Sequence, residues 1–372
     1  MYTLVLNAGS SSLKFKLFNS DLSTVADGIA EKIGQKTSFI DFNIGKKRDI
    51  ETGQLKNHKE ALKKIFKLLE NNKIDLTEIT KIGHRVVHGG EEFVKPTKVT
   101  SDFLRRIAKY NKLAPLHNPS NLSGIQACQS LLPKATNYAV FDTAFHNTIP
   151  AFAHLYPIPM KYYRKNHVRK YGFHGISHQY VSHVASLKLK KKKPNLITCH
   201  LGSGCSVTAV REGESVDTSM GFTPLEGLMM MSRAGDIDPA VIFYLIGQGN
   251  SAKAVEKMLN FDSGLKGVSG MSDMRDIMIA SGYKIPGYNP SKTFVIDNKK
   301  AAKLALQMFT YRVKKYIGAY TAVLGKVDAI VFTAGIGERN ADIRNLITRD
   351  LPNKPKILVI PTNEELMIAT QI

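Results

Sequence analysis

Residues 2–18 read YTLVLNAGSSSLKFKLF: an apolar run, a turn of small residues, then Leu13, Phe15 and Leu17 alternating with Lys14 and Lys16. Alternation at period two marks a half-buried strand, so the stretch predicts two strands joined by a glycine–serine turn. The plan returns at residues 196–210, where LITCHL leads through GSGCS into VTAV. Further elements follow each copy. After the first come a strand near Ser38–Phe42, a helix in which Leu62, Ile65, Phe66 and Leu69 share one face, and strands near Ile82–His88 and Tyr138–Asp142. After the second come a long helix from about Asn298 to Leu324 and a buried strand, Val327–Thr333. The repetition predicts two related α/β domains around a cleft. Ser281–Ile296, with two prolines, two glycines and no period, reads as a surface loop.

The chain has 372 residues, long for one domain and comfortable for two. No run approaches the roughly 18 apolar residues of a membrane span. The opening residues lack a basic segment ahead of a long apolar stretch, as a secretory signal would have. Cys128, Cys199 and Cys205 form no CxxC pair. A reducing, cytoplasmic setting without structural disulfides is therefore expected. The formal charge of +21 admits a nucleic-acid or anionic-membrane surface. Against that, the lysines are scattered, and the one dense run, Lys188–Lys193, leads into Pro194 as the solvated end of a helix would. No aromatic stripe accompanies it. The reading is a basic surface serving an anionic substrate, with no specific nucleic acid and no membrane as partner.

Neither GxxxxGK[ST] nor an intact GxGxxG is present; the nearest approach, GSGCSV at 202–207, breaks at its last position. A bound nucleotide would need another architecture. NAGSSSLK, Asn7–Lys14, offers backbone amides, hydroxyls and a lysine to a phosphate, or is simply a solvated turn. In HRVVHGGEEF, Arg85 lies inside an apolar strand and must meet an anion there, an internal carboxylate or a ligand. FDTAFH puts Asp142 at the end of a strand, where α/β sheets face their ligands. YGFHGISH sets His174 between glycines, and residues 217–239 set Arg233 among small and acidic residues, with Met229–Met231 as core packing. FTAGIGERN, Phe332–Asn340, lets a flat ring or sugar approach its glycines, and PTNEE, Pro361–Glu365, offers carboxylates for magnesium.

Taken in order, these segments resemble the acetate kinase family, within the actin, hexokinase and Hsp70 ATPase superfamily, from residue 2 to about 370. The resemblance implies two duplicated RNase H-like (actin/hexokinase-type) domains around an interdomain cleft. Their bounds would be 1–147 joined by 364–372, and 148–363. It implies transfer of the ATP γ-phosphoryl group directly to acetate, giving acetyl phosphate and ADP, in a homodimer that uses Mg²⁺ or Mn²⁺. Asn7 and Glu364 would hold the metal, and Lys14 the ATP phosphates. Arg85 would bind the carboxylate, with Val87, Leu116, Phe173 and Pro224 around its methyl group. Asp142 would be the catalytic aspartate, and His174 and Arg233 would stabilise the phosphoryl group. The nucleotide would meet His200, Leu201, Gly202, Ser203 and Gly204; Asp273, Met274 and Arg275; and Gly335, Ile336, Gly337, Glu338 and Arg339.

Four features depart from the family pattern. Serine replaces asparagine at Ser203, and GIGEN reads GIGER, ending in Arg339. The loop ahead of Asp273 is one residue shorter, and Ser281–Ile296 reads as an insertion. The chain also ends soon after PTNEE, which predicts a weaker C-terminal clasp on the first domain. A propionate or butyrate kinase with the same machinery is the alternative; bulky Leu116 and Phe173 favour the smallest acid.

Overall fold

The computed structural model describes residues 1–115, 117–290, 298–352 and 354–372. The chain divides into two compact units: Met1–Asn147 with Gly175–Ser177 and Asn363–Ile372, and Thr148–His174 with His178–Thr362. The first unit holds strands β1 (Tyr2–Ala8), β2 (Ser12–Phe18), β3 (Thr24–Glu31), β4 (Phe39–Ile44), β5 (Lys47–Thr52), β6 (Ile79–Val86), β7 (Thr97–Lys98) and β8 (Thr136–Phe141). The second holds β9 (Leu196–Leu201), β10 (Cys205–Arg211), β11 (Glu214–Thr218), β12 (Ala329–Thr333) and β13 (Lys356–Val359).

The sheet orders are β5-β4-β3-β2-β1-β6-β8-β7 and β11-β10-β9-β12-β13. Within the first, β3-β2-β1 pair antiparallel and β1-β6-β8 parallel. In the second, β11-β10-β9 pair antiparallel and β9-β12-β13 parallel. One five-strand plan therefore occurs twice, which makes the fold a duplicated α/β architecture. In both copies the quoted hairpins supply the second and third strands of that plan.

The alternation in β2 does what it predicts. Leu13, Phe15 and Leu17 are fully buried with Leu4 and Leu6, against Leu62, Ile65 and Leu69 of the helix His58–Asn71. Each such side chain contributes about 1.5–3 kcal/mol by leaving water. That helix is capped by Asn57, whose side chain accepts from the Glu60 amide, while Glu60 reaches back to the Lys56 amide. The opposite face of the sheet carries Val5, Phe18 and Val140, and the C-terminal helix Glu364–Ala369 packs on it through Ile368 and Ala369. Gly83 permits this approach, since a Cβ there would lie 2.5 Å from Ile368 Cγ2. Short as it is, this helix is seated on β1 and β6, with Ile368 and Ala369 buried.

FTAGIGERN, whose glycines follow the strand as expected, continues from β12 as the helix Ala334–Arg339. Part of the Ser281–Ile296 reading lies outside the described residues, as does Leu116.

Candidate active site

Strand register builds a polar row in the first unit. Asn7 on β1 faces Lys14 on β2, and Arg85 on β6 faces Val140 on β8. The pairing of Leu6 with His84 brings Arg85 next to Asn7. Alternate residues share a face, so Asp142, two beyond Val140, joins the same row. There Arg85 donates from Nη2 and Nε to the two oxygens of Asp142 at 2.6 and 3.3 Å, and its Nη1 lies 3.3 Å from Glu364 Oε2. Lys14 Nζ lies 2.8 Å from Glu365 Oε1. The Arg85 and Asp142 side chains are 16% and 2% exposed, so little water screens this pair. Burial alone would lower the Arg85 pKa, but Asp142 and Glu364 together hold it above its ordinary value. Burial pushes the Glu364 carboxyl up; Arg85 opposes that rise, and the charges of Asp142 and Glu365 add to it.

The strand ends are fixed from the helix Asn118–Leu131. Asn121 accepts from the Val87 amide at 3.1 Å and donates to the Ala8 carbonyl at 2.6 Å. Asn118 accepts from the His88 amide and donates to the His88 carbonyl.

Magnesium in phosphoryl-transfer sites takes one or two carboxylates and completes its shell with water and phosphate oxygens. Among the described residues no group of three or more His, Cys, Asp or Glu side chains forms a metal cage. The first-unit row fits the looser demand. Its carboxylates Asp142, Glu364 and Glu365 face the cations Arg85 and Lys14, an excess of one negative charge. Arg85 approaches Glu364 through Oε2, leaving Oε1 for a cation, and Asn7 adds an amide oxygen on the same face.

In the second unit the turn Gly202–Gly204 joins β9 to β10, closed by Gly202 N–H donating to the Gly204 carbonyl at 3.1 Å. A Cβ on Gly204 would lie 3.3 Å from His174 Cε1 and 3.7 Å from Arg233 Nη1, so the turn, the histidine and the arginine adjoin. His174 adopts φ 57°, a left-handed conformation that costs a non-glycine residue about 1–2 kcal/mol. Its Nδ1 lies 2.9 Å from Ser206 Oγ, and its ring stacks on His200 at 4.1 Å. His178 in turn bonds Ser206 Oγ and Thr198 Oγ1, both at 2.7 Å. Arg233 is held by its backbone: its carbonyl accepts from the Met230 amide, and Met231 N–H donates to the Ser203 carbonyl. Its side chain has only the Pro224 carbonyl at 3.4 Å and Met230 Sδ at 3.9 Å, and no carboxylate partner among the described residues. Burial pushes its pKa down, the Cys205 thiol opposing.

Beside this turn, still within the second unit, opens a cavity of about 530 Å³. Gly202, Ser203, Asp273, Met274, Arg275, Gly335, Ile336 and Arg339 all line it, together with Ile285, Pro286, Gly287, Tyr288 and Asn340. Asp273 accepts from the Arg275 amide and, bidentately, from its guanidinium, which lies 4.1 Å over the Tyr288 ring. His200, Leu201, Gly204, Gly337 and Glu338 do not line the cavity. Gly337 packs on β9, and Glu338 Oε1 accepts from Thr333 Oγ1 and from the Ala334 and Thr362 amides. That carboxylate holds the junction of β12 and its helix.

Val87 lies in the first unit, half-buried; Phe173 is buried in the second, where the Pro224 carbonyl meets Arg233. Asn118, Asn121, Ser206 and His178 were given no role by the sequence, and Glu365, offered there with Glu364 as a carboxylate, is found paired with Lys14. The dipeptide Asn118–Pro119 at a helix start was the only available signal for the asparagines. Ser206 and His178 matter through partners distant in sequence.

The sequence model of the acetokinase family matches residues 2–354. The acetate kinase of Thermoanaerobacterium thermosaccharolyticum is 46% identical, with 99% of this chain and 97% of that protein covered. The acetate kinase of a Sulfurovum species is 44% identical, over 100% and 98%. Among solved structures, a propionate kinase from Francisella tularensis superposes with a TM-score of 0.91 at 40% identity, covering 100% of this chain and 98% of that one. The Porphyromonas gingivalis acetate kinase follows at 0.89 and 37%, covering 99% and 98%.

Proposed function

The chain belongs to the acetokinase family, and from that membership we propose that it is an acetate kinase, moving the γ-phosphoryl group of ATP reversibly onto acetate. The observation that carries the reading is Arg233, a cation without a carboxylate partner among the described residues, poised with His174 at the Gly202–Gly204 turn. Such an arrangement is built for an incoming anion.

Acetate is ionised near neutrality, so its attacking oxygen has no proton to lose. One carboxylate oxygen forms a bond to the γ-phosphorus as the bond from that phosphorus to the ADP oxygen breaks. The transition state is loose, so positioning and charge neutralisation supply most of the catalysis. Of the five N–H donors of Arg85, two bond Asp142 and Nη1 stands 3.3 Å from Glu364 Oε2 as an ion pair, leaving donors on the terminal nitrogens to grip the acetate carboxylate. Arg233 and His174 meet the phosphoryl oxygens. The cavity at Asp273–Arg275 takes the nucleoside, and Val87, Leu116, Phe173 and Pro224 are assigned to the methyl group. Magnesium, when bound at Asn7 and Glu364, neutralises phosphate charge. Asp142 positions Arg85 and is no base. Asp142→Asn is accordingly expected to lower kcat by about a hundredfold and to raise the Mg²⁺ concentration needed for half-maximal rate. An unchanged magnesium titration would contradict this role.

The test of the function is a hydroxamate assay with ATP, Mg²⁺ and acetate, propionate or butyrate. One methylene is worth only about 1–3 kcal/mol, so acetate should lead, with propionate turning over more slowly. Absence of acetyl phosphate would end the reading, and a preference for propionate would move the chain to the alternative.

The helix Pro239–Gly247, PAVIFYLIG, supports assembly with a second copy. It is apolar on all sides yet has no buried residue, with Phe243 73% and Tyr244 66% exposed. A helix of that composition is normally covered. Phe243→Glu should convert a dimer to monomers by sedimentation velocity; an unaltered sedimentation coefficient would exclude this face. A cytoplasmic location accords with the buried, unpaired cysteines, of which Cys205 has its thiol pushed up to about 12 by burial.

A further inference from the structure

We propose that Arg339 reads the edge of the purine base and that the site accepts 6-oxopurine nucleotides, guanosine and inosine phosphates, at least as readily as adenosine phosphates. The inference rests on the reading of the second-unit cavity as the nucleotide site. Besides the hydroxyls of Ser203 and Ser272, the polar side chains that line this cavity are those of Asp273, Arg275, Tyr288, Arg339 and Asn340. Asp273 and Arg275 are committed to one another, and the Tyr288 hydroxyl donates to Asp276 at 3.1 Å. Asn340 accepts from the Ile343 amide through Oδ1 and turns Nδ2 to Met278 Sδ at 2.6 Å. Arg339 lines the same cavity, is exposed, and has no hydrogen bond or ion pair among the described residues. Among the described residues that line the cavity, it is the one guanidinium with its donors uncommitted.

Its position selects the base over the phosphates. Gly202 and Ala334 adjoin, a Cβ on the glycine lying 3.6 Å from that of the alanine, and Gly204 of the same turn adjoins His174 and Arg233, so the phosphates are assigned to this end of the cavity. Gly335 and Arg339 occupy one face of the helix Ala334–Arg339, one turn apart, so Arg339 stands about 6 Å further along. Ile336, Met274, Ile285 and Pro286 supply apolar surface for the faces of a ring.

A guanidinium donates and cannot accept. Guanine and hypoxanthine offer two acceptors side by side, N7 and O6, which match its fork. Adenine offers N7 beside an amino group that would confront a second donor. Glutamine, with one donor and one acceptor, suits adenine instead.

The experiment is calorimetric titration of the full chain with ADP, GDP and CDP, for the wild type, Arg339→Ala and Arg339→Gln. The expected result is GDP bound at least as tightly as ADP by the wild type. Arg339→Ala should weaken GDP by a factor about 5–100 larger than any change for ADP, and Arg339→Gln should favour ADP. Equal weakening of all three nucleotides would make Arg339 a phosphate contact and overturn the proposal. An unchanged GDP/ADP ratio in Arg339→Ala would do so as well. Failure of all three to bind the wild type would instead remove the nucleotide cavity itself.

Discussion

Replacing Arg85 by leucine is expected to lower kcat for acetyl phosphate formation by about three orders of magnitude or more and to destabilise the protein by about 3–5 kcal/mol. Both effects come from one arrangement. The guanidinium binds Asp142 through two N–H groups and pairs with Glu364 through Nη1 at 3.3 Å, with donors on its terminal nitrogens left for the substrate. Leucine removes the carboxylate grip, which accounts for the turnover. It also leaves Asp142, 2% exposed, and Glu364 without their cation, and an uncompensated buried charge is costly. The two effects separate in the double variant Arg85→Leu/Asp142→Leu. With one buried carboxylate gone as well, part of the lost stability should return in a urea titration, while turnover stays at the single-variant level. Near-wild-type kcat in Arg85→Leu would take Arg85 out of the site. Full recovery of kcat in the double variant would show that the single variant had merely unfolded.

The duplicated sheet is legible because both hairpins advertise it locally. Alternation in Leu13–Leu17 and the apolar run Leu196–Leu201, each beside a small-residue turn, are short-range signals that the register then confirms. β3 and β5 escape because their sequences, TVADGIAE and KRDIET, are polar enough to read as loop; pairing with β2 and β4 decides them. The helix Ala334–Arg339 escapes because two glycines in six residues argue against a helix. Glu338 overrides that weakness by bonding the Ala334 and Thr362 amides.

In the site, what sequence can supply is residue type, and what it cannot supply is who meets whom. A guanidinium inside an apolar strand had to find an anion, but only the parallel register of β6 and β8 identifies Asp142. The pairing of Lys14 with Glu365 joins positions near the two ends of the chain. No periodicity reports such a contact. Arg233 is the converse: the same residue type, on a glycine-bounded loop, has no carboxylate partner among the described residues.

That difference sets the second large prediction. Arg233→Leu is expected to lower kcat by about three orders of magnitude or more, as at Arg85, yet to leave stability unchanged or improved. Arg233 has one long bond to the Pro224 carbonyl and a distant sulfur, and burial pushes its pKa down, so its charge weighs against the folded state. Removing a half-buried charge that has no counter-charge among the described residues relieves a cost and leaves no orphaned carboxylate among them. Inorganic phosphate should raise the melting temperature of the wild type by binding where the phosphoryl group passes, and should raise that of Arg233→Leu less. Calorimetric melting with and without phosphate, alongside kcat, checks both halves. Destabilisation as large as that of Arg85→Leu would mean that Arg233 has an internal partner after all, and retained turnover would mean that the migrating group never touches it.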